Sequence, residues 1–185
     1  VADLHIALAH YPVIDRTGKI VTSAITSLDL HDLARAARTY GAKAFFVIHP
    51  TPDQRAFAAR VLEHWRTGYG RQFDSRRREA LDLIQIVPAF DDALAAIEAM
   101  SGRRPLVAFT SARAKGGLAW REARALLERA EGPPLMVLFG TGFGMAPALA
   151  ERADFTLPPI LGAGDYNHLS VRAAAGIILD RLCGR

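Results

Sequence analysis

The sequence predicts an α/β fold: a mostly parallel sheet flanked by helices. Three observations lead there. Apolar strand-like runs alternate with amphipathic helical runs along the chain, the pattern of a parallel sheet covered on both faces. The chain has 185 residues, 50% of them hydrophobic and 23% charged, a balance that suits a folded core. No internal repeat and no low-complexity tract interrupts the alternation.

The elements follow in order. Leu4-His5-Ile6-Ala7-Leu8 opens the chain as a strand. A helix is predicted over 28–40, with Ser27 as its N-cap and Gly41 as its stop. Residues 44–48 read as the second strand. Thr51 then caps a helix that runs to Trp65; Pro52 suits its first position and Gln54 completes a capping box. Residues 67–75 hold Gly68 and Gly70 and read as a loop, followed by a short helix over 76–83. Strands are predicted at 83–87, 106–110 and 135–139, with helices over 91–100 and 120–129 between them. Pro133 and Pro134 mark the start of the fifth strand. A short sixth strand falls at 155–157. The last helix covers 170–182, where Val171, Ala174, Ala175, Ile178, Leu179 and Leu182 form one apolar stripe.

Size and composition bound the function. The length fits a single domain spanning 1–185. The lone Cys183 forms no internal disulfide, so the fold does not need an oxidising compartment. No apolar run reaches the roughly 18 residues of a membrane-spanning helix. The segment 1–10 enters a strand without a signal-peptide pattern, and the expectation is a cytoplasmic protein. A net charge of +4 and a pI near 9.6 would help capture a polyanion such as RNA, or simply reflect an arginine-rich solvated surface.

In parallel α/β sheets, ligands bind outside the carboxyl ends of the strands. The loops that follow strands are therefore the candidate sites: His49-Pro50-Thr51, Thr110-Ser111-Ala112-Arg113, Gly140-Thr141-Gly142-Phe143-Gly144 and residues 158–167. The glycine loop lets a backbone approach a ligand, or it is a tight turn into a helix. With Ala146 offset and Asp165 about 20 residues on, it is a partial dinucleotide fingerprint, which keeps a nicotinamide-dependent oxidoreductase open. The segment from Leu157 to Arg172 joins Pro158-Pro159, two glycines and the polar run Asp165-Tyr166-Asn167-His168. Such a loop suits the flat, edge-bonding ring of an adenine, while Asn167 or Ser170 also serves as an ordinary helix cap. The six histidines form no ligand-spaced pair with a carboxylate, so no metal is expected. Neither a G-x-S-x-G elbow nor a phosphate loop with lysine is present.

Leu138-Phe139-Gly140-Thr141-Gly142-Phe143-Gly144-Met145 and Tyr166-Asn167-His168-Leu169-Ser170-Val171-Arg172-Ala173-Ala174 resemble two motifs of the SPOUT (trefoil-knot) RNA methyltransferases. The chain is most similar to a compact bacterial branch of S-adenosylmethionine-dependent RNA methyltransferases. His10-Tyr11-Pro12-Val13, Val21-Thr22-Ser23 and the stretch from Asp29 to Gly41 extend the resemblance over nearly the whole chain. It implies a C-terminal trefoil knot, which general folding rules would not suggest. It implies S-adenosylmethionine held by Thr110, Ser111 and Ala112, by Phe139, Gly140 and Gly142, by Leu157, Ile160 and Leu161, and by Tyr166, Asn167 and Ser170. It further implies tRNA or rRNA as partner and a homodimer packed through the C-terminal helix. The ribose-methylating branch carries an Asn…Gly…Arg motif before its first helix; Thr22-Ser23-Ala24-Ile25-Thr26-Ser27 lacks that arginine, so a base nitrogen stands beside ribose as the acceptor.

A methyl on a sulfonium is already activated, so the protein mainly aligns the nucleophile. Asp165, beside the cofactor loop, is the expected general base, with His10 and Arg113 at the same sheet edge. Arg71, Arg76, Arg77 and Arg78 form the densest basic cluster, with Tyr69 and Phe73 nearby for base stacking. A knot-fold domain that binds RNA without catalysis remains the other alternative.

Overall fold

A strand buried on both faces must be apolar at nearly every position, and the chain meets that demand three times. The computed structural model describes residues 1–184; residue 185 and the side chain of Arg71 lie outside the described part. In chain order it builds β1 (Leu4–Ala9), β2 (Val13–Ile14), β3 (Ile20–Val21), α1 (Ser27–Thr39), β4 (Ala44–Ile48), α2 (Pro52–Arg66), α3 (Gly70–Phe73), α4 (Ser75–Leu81), β5 (Ile84–Val87), α5 (Phe90–Ser101), β6 (Leu106–Phe109), α6 (Trp120–Glu128), β7 (Leu135–Gly140), α7 (Pro147–Ala150), β8 (Phe155–Thr156) and α8 (Val171–Cys183). Every residue of β1 and β4 is buried, and so is every residue of β7 but its half-buried final glycine.

These strands form a six-stranded sheet in the order β5-β4-β1-β7-β6-β8, parallel throughout. Strand alternation divides the core in two. Leu4, Ile6, Leu8, Phe45 and Val47 face α1, α2, α4, α6 and α8, while Ala7, Ala9, Phe46 and Ile48 face α5 and α7. Burying one such large apolar side chain stabilises the fold by roughly 1.5–3 kcal/mol. The strand order runs β1, β4, β5 outward on one side, then turns back through β6 and β7 on the other. The reversal falls between β1 and β7, so the carboxyl ends of those two strands form the switch point where ligands bind.

Several local expectations change in the folded chain. Thr26, not Ser27, caps α1: its backbone is extended, its hydroxyl oxygen accepts from the Asp29 N–H at 3.1 Å, and its O–H donates to Asp29 at 2.7 Å. Thr51 precedes α2 but makes no side-chain cap, and the Gln54 side chain accepts from the Ile25 N–H at 2.7 Å while the Thr51 N–H donates to His49. A tertiary bond has replaced the local box. Part of the 67–75 loop winds into α3. The β2–β3 hairpin and α7 escape the sequence reading because two-residue strands and a four-residue helix carry no periodicity. The hairpin lies against the loop after β7. Ile14 N–H donates to Gly144 O at 2.9 Å, Phe143 N–H to Ile14 O at 3.2 Å, and Ala146 N–H to Pro12 O at 2.9 Å.

Two buried histidines make the fold sensitive to acid. Among the described residues neither ring nitrogen of His5 has a hydrogen-bond partner, and burial holds its pKa down at about 4. Burial, then the neighbouring His49, does the same to His10, also at about 4. The unfolded chain binds a proton at each site below about pH 6.5, whereas the folded chain binds it only near pH 4. Stability is therefore full above the unfolded value and declines as pH falls through that window. Urea midpoints should be flat above pH 7 and drop between about pH 6.5 and 4, and His5→Leu should flatten part of the drop. A midpoint indifferent to pH in that window would contradict this.

Candidate functional site

A cleft of about 660 Å³ opens at the carboxyl ends of the central strands. Its volume falls within the roughly 300–1,000 Å³ typical of small-molecule sites. Thr110, Ser111, Ala112 and Arg113 form one wall, and Phe139 to Met145 form another. Pro158, Pro159 and Ile160 close a third side, and Asn167 to Val171 lead into α8, which contributes Ala174 and Ile178. Asp29 reaches the cleft from the first turn of α1.

Backbone geometry fixes these walls. The Thr110 hydroxyl donates to Leu138 O at 2.8 Å, tying the end of β6 to β7. Leu157 N–H donates to Phe109 O, and Leu118 N–H to Thr156 O, both at 2.9 Å. The loop after β6 thus lies flush on the segment after β8. A Cβ at Gly117 would stand 2.4 Å from Thr156 O and 2.7 Å from the Leu157 carbonyl carbon, so only glycine fits. Asn167 Nδ2 donates to Ala112 O at 3.1 Å and draws the proline-led segment to the same wall. Ser170 caps α8 by accepting from the Ala173 N–H at 3.2 Å. In the glycine loop, Gly142 holds φ +62°, a left-handed conformation that favours glycine.

The cleft is apolar around Phe139, Met145, Ile160 and Ile178, with one buried carboxylate. Asp29 is countered by Arg172, whose Nη1 lies 3.5 Å from Asp29 Oδ1 while its Nε lies 3.6 Å from Asp32 Oδ2. One arginine of α8 therefore links the cleft to the start of α1.

The structure brings Thr110, Ser111, Ala112, Phe139, Gly140, Gly142, Ile160, Asn167 and Ser170 into this one cleft. Leu157 lies beneath it, buried in the core. Leu161 and Tyr166 are 75% and 82% exposed and stand outside the lining, as does the exposed Asp165. Arg113 is on the rim, and His10 is wholly buried behind the glycine loop. Arg76, Arg77 and Arg78 sit on α4, away from the cleft lining. Arg77 is engaged over Trp65 at 5.0 Å and beside Asp74 at 3.7 Å. Tyr69 and Phe73 form an exposed pair with ring centres 6.5 Å apart. The Arg71 side chain lies outside the described part. Asp29 was not singled out from sequence as a site residue. Its signal was the Thr26-x-x-Asp29 spacing, which opens α1 at the ligand-binding edge of the sheet.

Among the described residues no group of histidine, cysteine and carboxylate side chains could hold a metal ion, and no helix is long and apolar enough to cross a membrane.

The fold is that of the SpoU-type methyltransferases. A TrmH/SpoU tRNA modifying enzyme of Aquifex aeolicus superposes with a TM-score of 0.57 at 14% identity, over 98% of this chain and 74% of that one. The SpoU methyltransferase AviRb of Streptomyces viridochromogenes, solved with AdoMet, gives 0.56 at 16% identity, over 98% and 57%. Residues 3–184 match the family model described as SAM-dependent RNA methyltransferase, and the chain belongs to that family. A curated relative, the tRNA (guanine-N(1)-)-methyltransferase of Oleidesulfovibrio alaskensis, is 40% identical over 182 residues, 98% of this chain. The chain spans 42% of that relative's length.

Gly117→Ala should cost about 1–3 kcal/mol of stability, because the backbone it meets cannot step aside. Gly116→Ala is the control, since a Cβ there meets nothing within 4 Å. Urea unfolding of the two variants reads the difference, and equal losses would mean that the crossing is not tightly packed.

Proposed function

We propose that the cleft binds S-adenosylmethionine and that the chain, acting as a single domain, methylates a nucleotide of tRNA or rRNA in the cytoplasm. The observation that carries this reading is the convergence of three strand-end loops and the Asn167–Ser170 segment on one cleft at the switch point. The residues fit the cofactor. Phe139, Met145, Ile160 and Ile178 offer apolar contact to an adenine, and the backbone around Gly140 and Gly142 can reach its polar edge. The buried Asp29 carboxylate suits a cationic group. When bound, the cofactor supplies a methyl group activated by its sulfonium. The chain's part is to hold that donor in a bent shape, exclude water and align the acceptor.

The nicotinamide reading loses its footing. A pyrophosphate site needs the N-terminus of a sustained helix after the glycine loop, and α7 has four residues.

Asp165 faces solvent on the loop bounding the cleft, and is the proposed base where the nucleophile carries a proton. A base nitrogen is the proposed acceptor: the ribose-type arginine is missing from 22–27, and the Oleidesulfovibrio relative is named for guanine N1. Capture of RNA falls to the basic surface, with Arg76 and Arg78 of α4 beside the Tyr69–Phe73 pair. A trefoil knot is proposed for the C-terminal part. Its support is the path of 157–170, which passes the loop after β6 before α8 settles between α1 and α6. A homodimer through α8 is likewise proposed. Ala173 is exposed, and a Cβ at Gly176 would meet nothing within 4 Å, so this helix face has room for a partner helix.

Calorimetry should show binding of S-adenosylmethionine and none of NAD. Gly142→Trp should abolish binding, and Asn167→Ala should weaken it roughly two- to tenfold through one lost hydrogen bond. Normal binding by both folded variants would move the site elsewhere. Labelled methyl should pass from cofactor to bulk RNA. Asp165→Asn should lower kcat while leaving cofactor affinity unchanged. Cofactor and RNA binding without any transfer would favour a non-catalytic RNA-binding role.

A further inference from the structure

Three side chains from separate parts of the sequence meet behind the glycine loop. His10 follows β1, Ser23 follows β3, and Thr141 follows β7. His10 Nδ1 lies 2.9 Å from Ser23 Oγ, and Ser23 Oγ bonds to Thr141 Oγ1. Thr141 Oγ1 in turn lies 3.2 Å from the carbonyl oxygen of Ala9. That last contact sets the direction of the whole row. A carbonyl only accepts, so the single Thr141 proton goes to Ala9. Thr141 must then accept from Ser23, and Ser23, its own proton committed, must accept from His10 Nδ1–H.

The neutral imidazole therefore carries its proton on Nδ1, and Nε2 is left as a bare acceptor. Nε2 is buried and has no partner among the described residues. The opposite tautomer would reverse the row: Ser23 would donate to His10, Thr141 to Ser23, and the Ala9 carbonyl would lose its side-chain donor. Ser23 is also held by its backbone. Its N–H donates to His10 O at 2.9 Å, and its carbonyl accepts from His49 Nε2 at 3.0 Å. His49 is itself oriented by the Thr51 N–H, which donates to its Nδ1 at 3.0 Å.

We propose that His10 is a positioning residue for the cofactor site: through Ser23 it fixes the Thr141 hydroxyl and so holds the glycine loop in its ligand-binding form. This rests on the reading of the cleft as the cofactor site, because Thr141 and its neighbours Gly140 and Gly142 line it. The hairpin bonds clamp the far end of the loop, at Phe143, Gly144 and Ala146. The His10 row clamps the near end to β1. Without His10 and Ser23, the Thr141 hydroxyl keeps its contact with Ala9 O but loses the donor that sets its direction.

Side-chain geometry supplies the test. In Asn the amide nitrogen occupies the place of His Nδ1, whereas in Gln it reaches the place of Nε2. His10→Asn should therefore keep the donor to Ser23, whereas His10→Gln, His10→Phe and Ser23→Ala should leave the Thr141 hydroxyl with its Ala9 contact but without the oriented Ser23 donor behind it. The expected result is a roughly five- to tenfold rise in KM and in the Kd for S-adenosylhomocysteine in the latter three, with kcat nearly unchanged, and near-normal values for His10→Asn. Hydrogen exchange on the ligand-free protein gives a second readout. The hydrogen-bonded amides of Phe143, Gly144 and Ala146 should exchange several-fold faster in the same three variants, with core amides of β1 and β4 unchanged. Should any position-10 variant fail to fold, Ser23→Ala and Thr141→Val carry the comparison. If Gln serves as well as Asn, or if loop exchange is untouched in Ser23→Ala, the proposal is overturned. If the wild type binds no cofactor but the exchange pattern holds, the functional reading fails and the positioning role stands.

Discussion

The pairing of β1 with β7 is the constraint on which the rest of the structure depends. The two strands run in register from Leu4 with Leu135 to Ala9 with Gly140, and both are buried on each face. They lie far apart in the sequence, so their union closes most of it into one long-range loop. It also decides where chemistry can occur. Every parallel strand ends at the same edge, and here the chain leaves β1 towards α1 on one face and leaves β7 towards α7 on the other. The loops after β6 and β7 and the segment after β8 then have one space to share. The buried carboxylate that enters that space, Asp29, is answered by Arg172.

The strands and long helices were legible because burial leaves a periodic trace. Each strand of the sheet was found within a residue or so, including the short β8, and the parallel arrangement followed from alternation alone. What the sequence hid was whatever depends on partners far along the chain. Gln54 satisfied the pattern of a local capping box and yet serves Ile25. The two-residue strands of the hairpin become strands only because the glycine loop is there to bond them.

The site was legible in a similar proportion. Residues on loops directly after strands landed in the cleft, because strand ends fix where such loops begin. Leu161 and Tyr166 are implied by the resemblance and Asp165 by its place beside the cofactor loop, and all three stand outside the cleft lining. Asp29 carries no sign in the sequence that it faces the cleft: its position reads only as the start of a helix, and folding brings that start to the strand ends. Nothing in the sequence around Thr141 signals the bond by which its hydroxyl joins the loop to β1.

The flush crossing at Gly117 bears on how the molecule is made. The loop after β6 finds its facing backbone only in residues 156–158, which leave the ribosome some forty positions later. A nascent chain paused at α7 would already own its glycine loop, yet the opposite wall would still be missing. A ligand of the cleft would thus meet a full set of walls only after residues 156–171 have emerged, and would stabilise the chain from that point on.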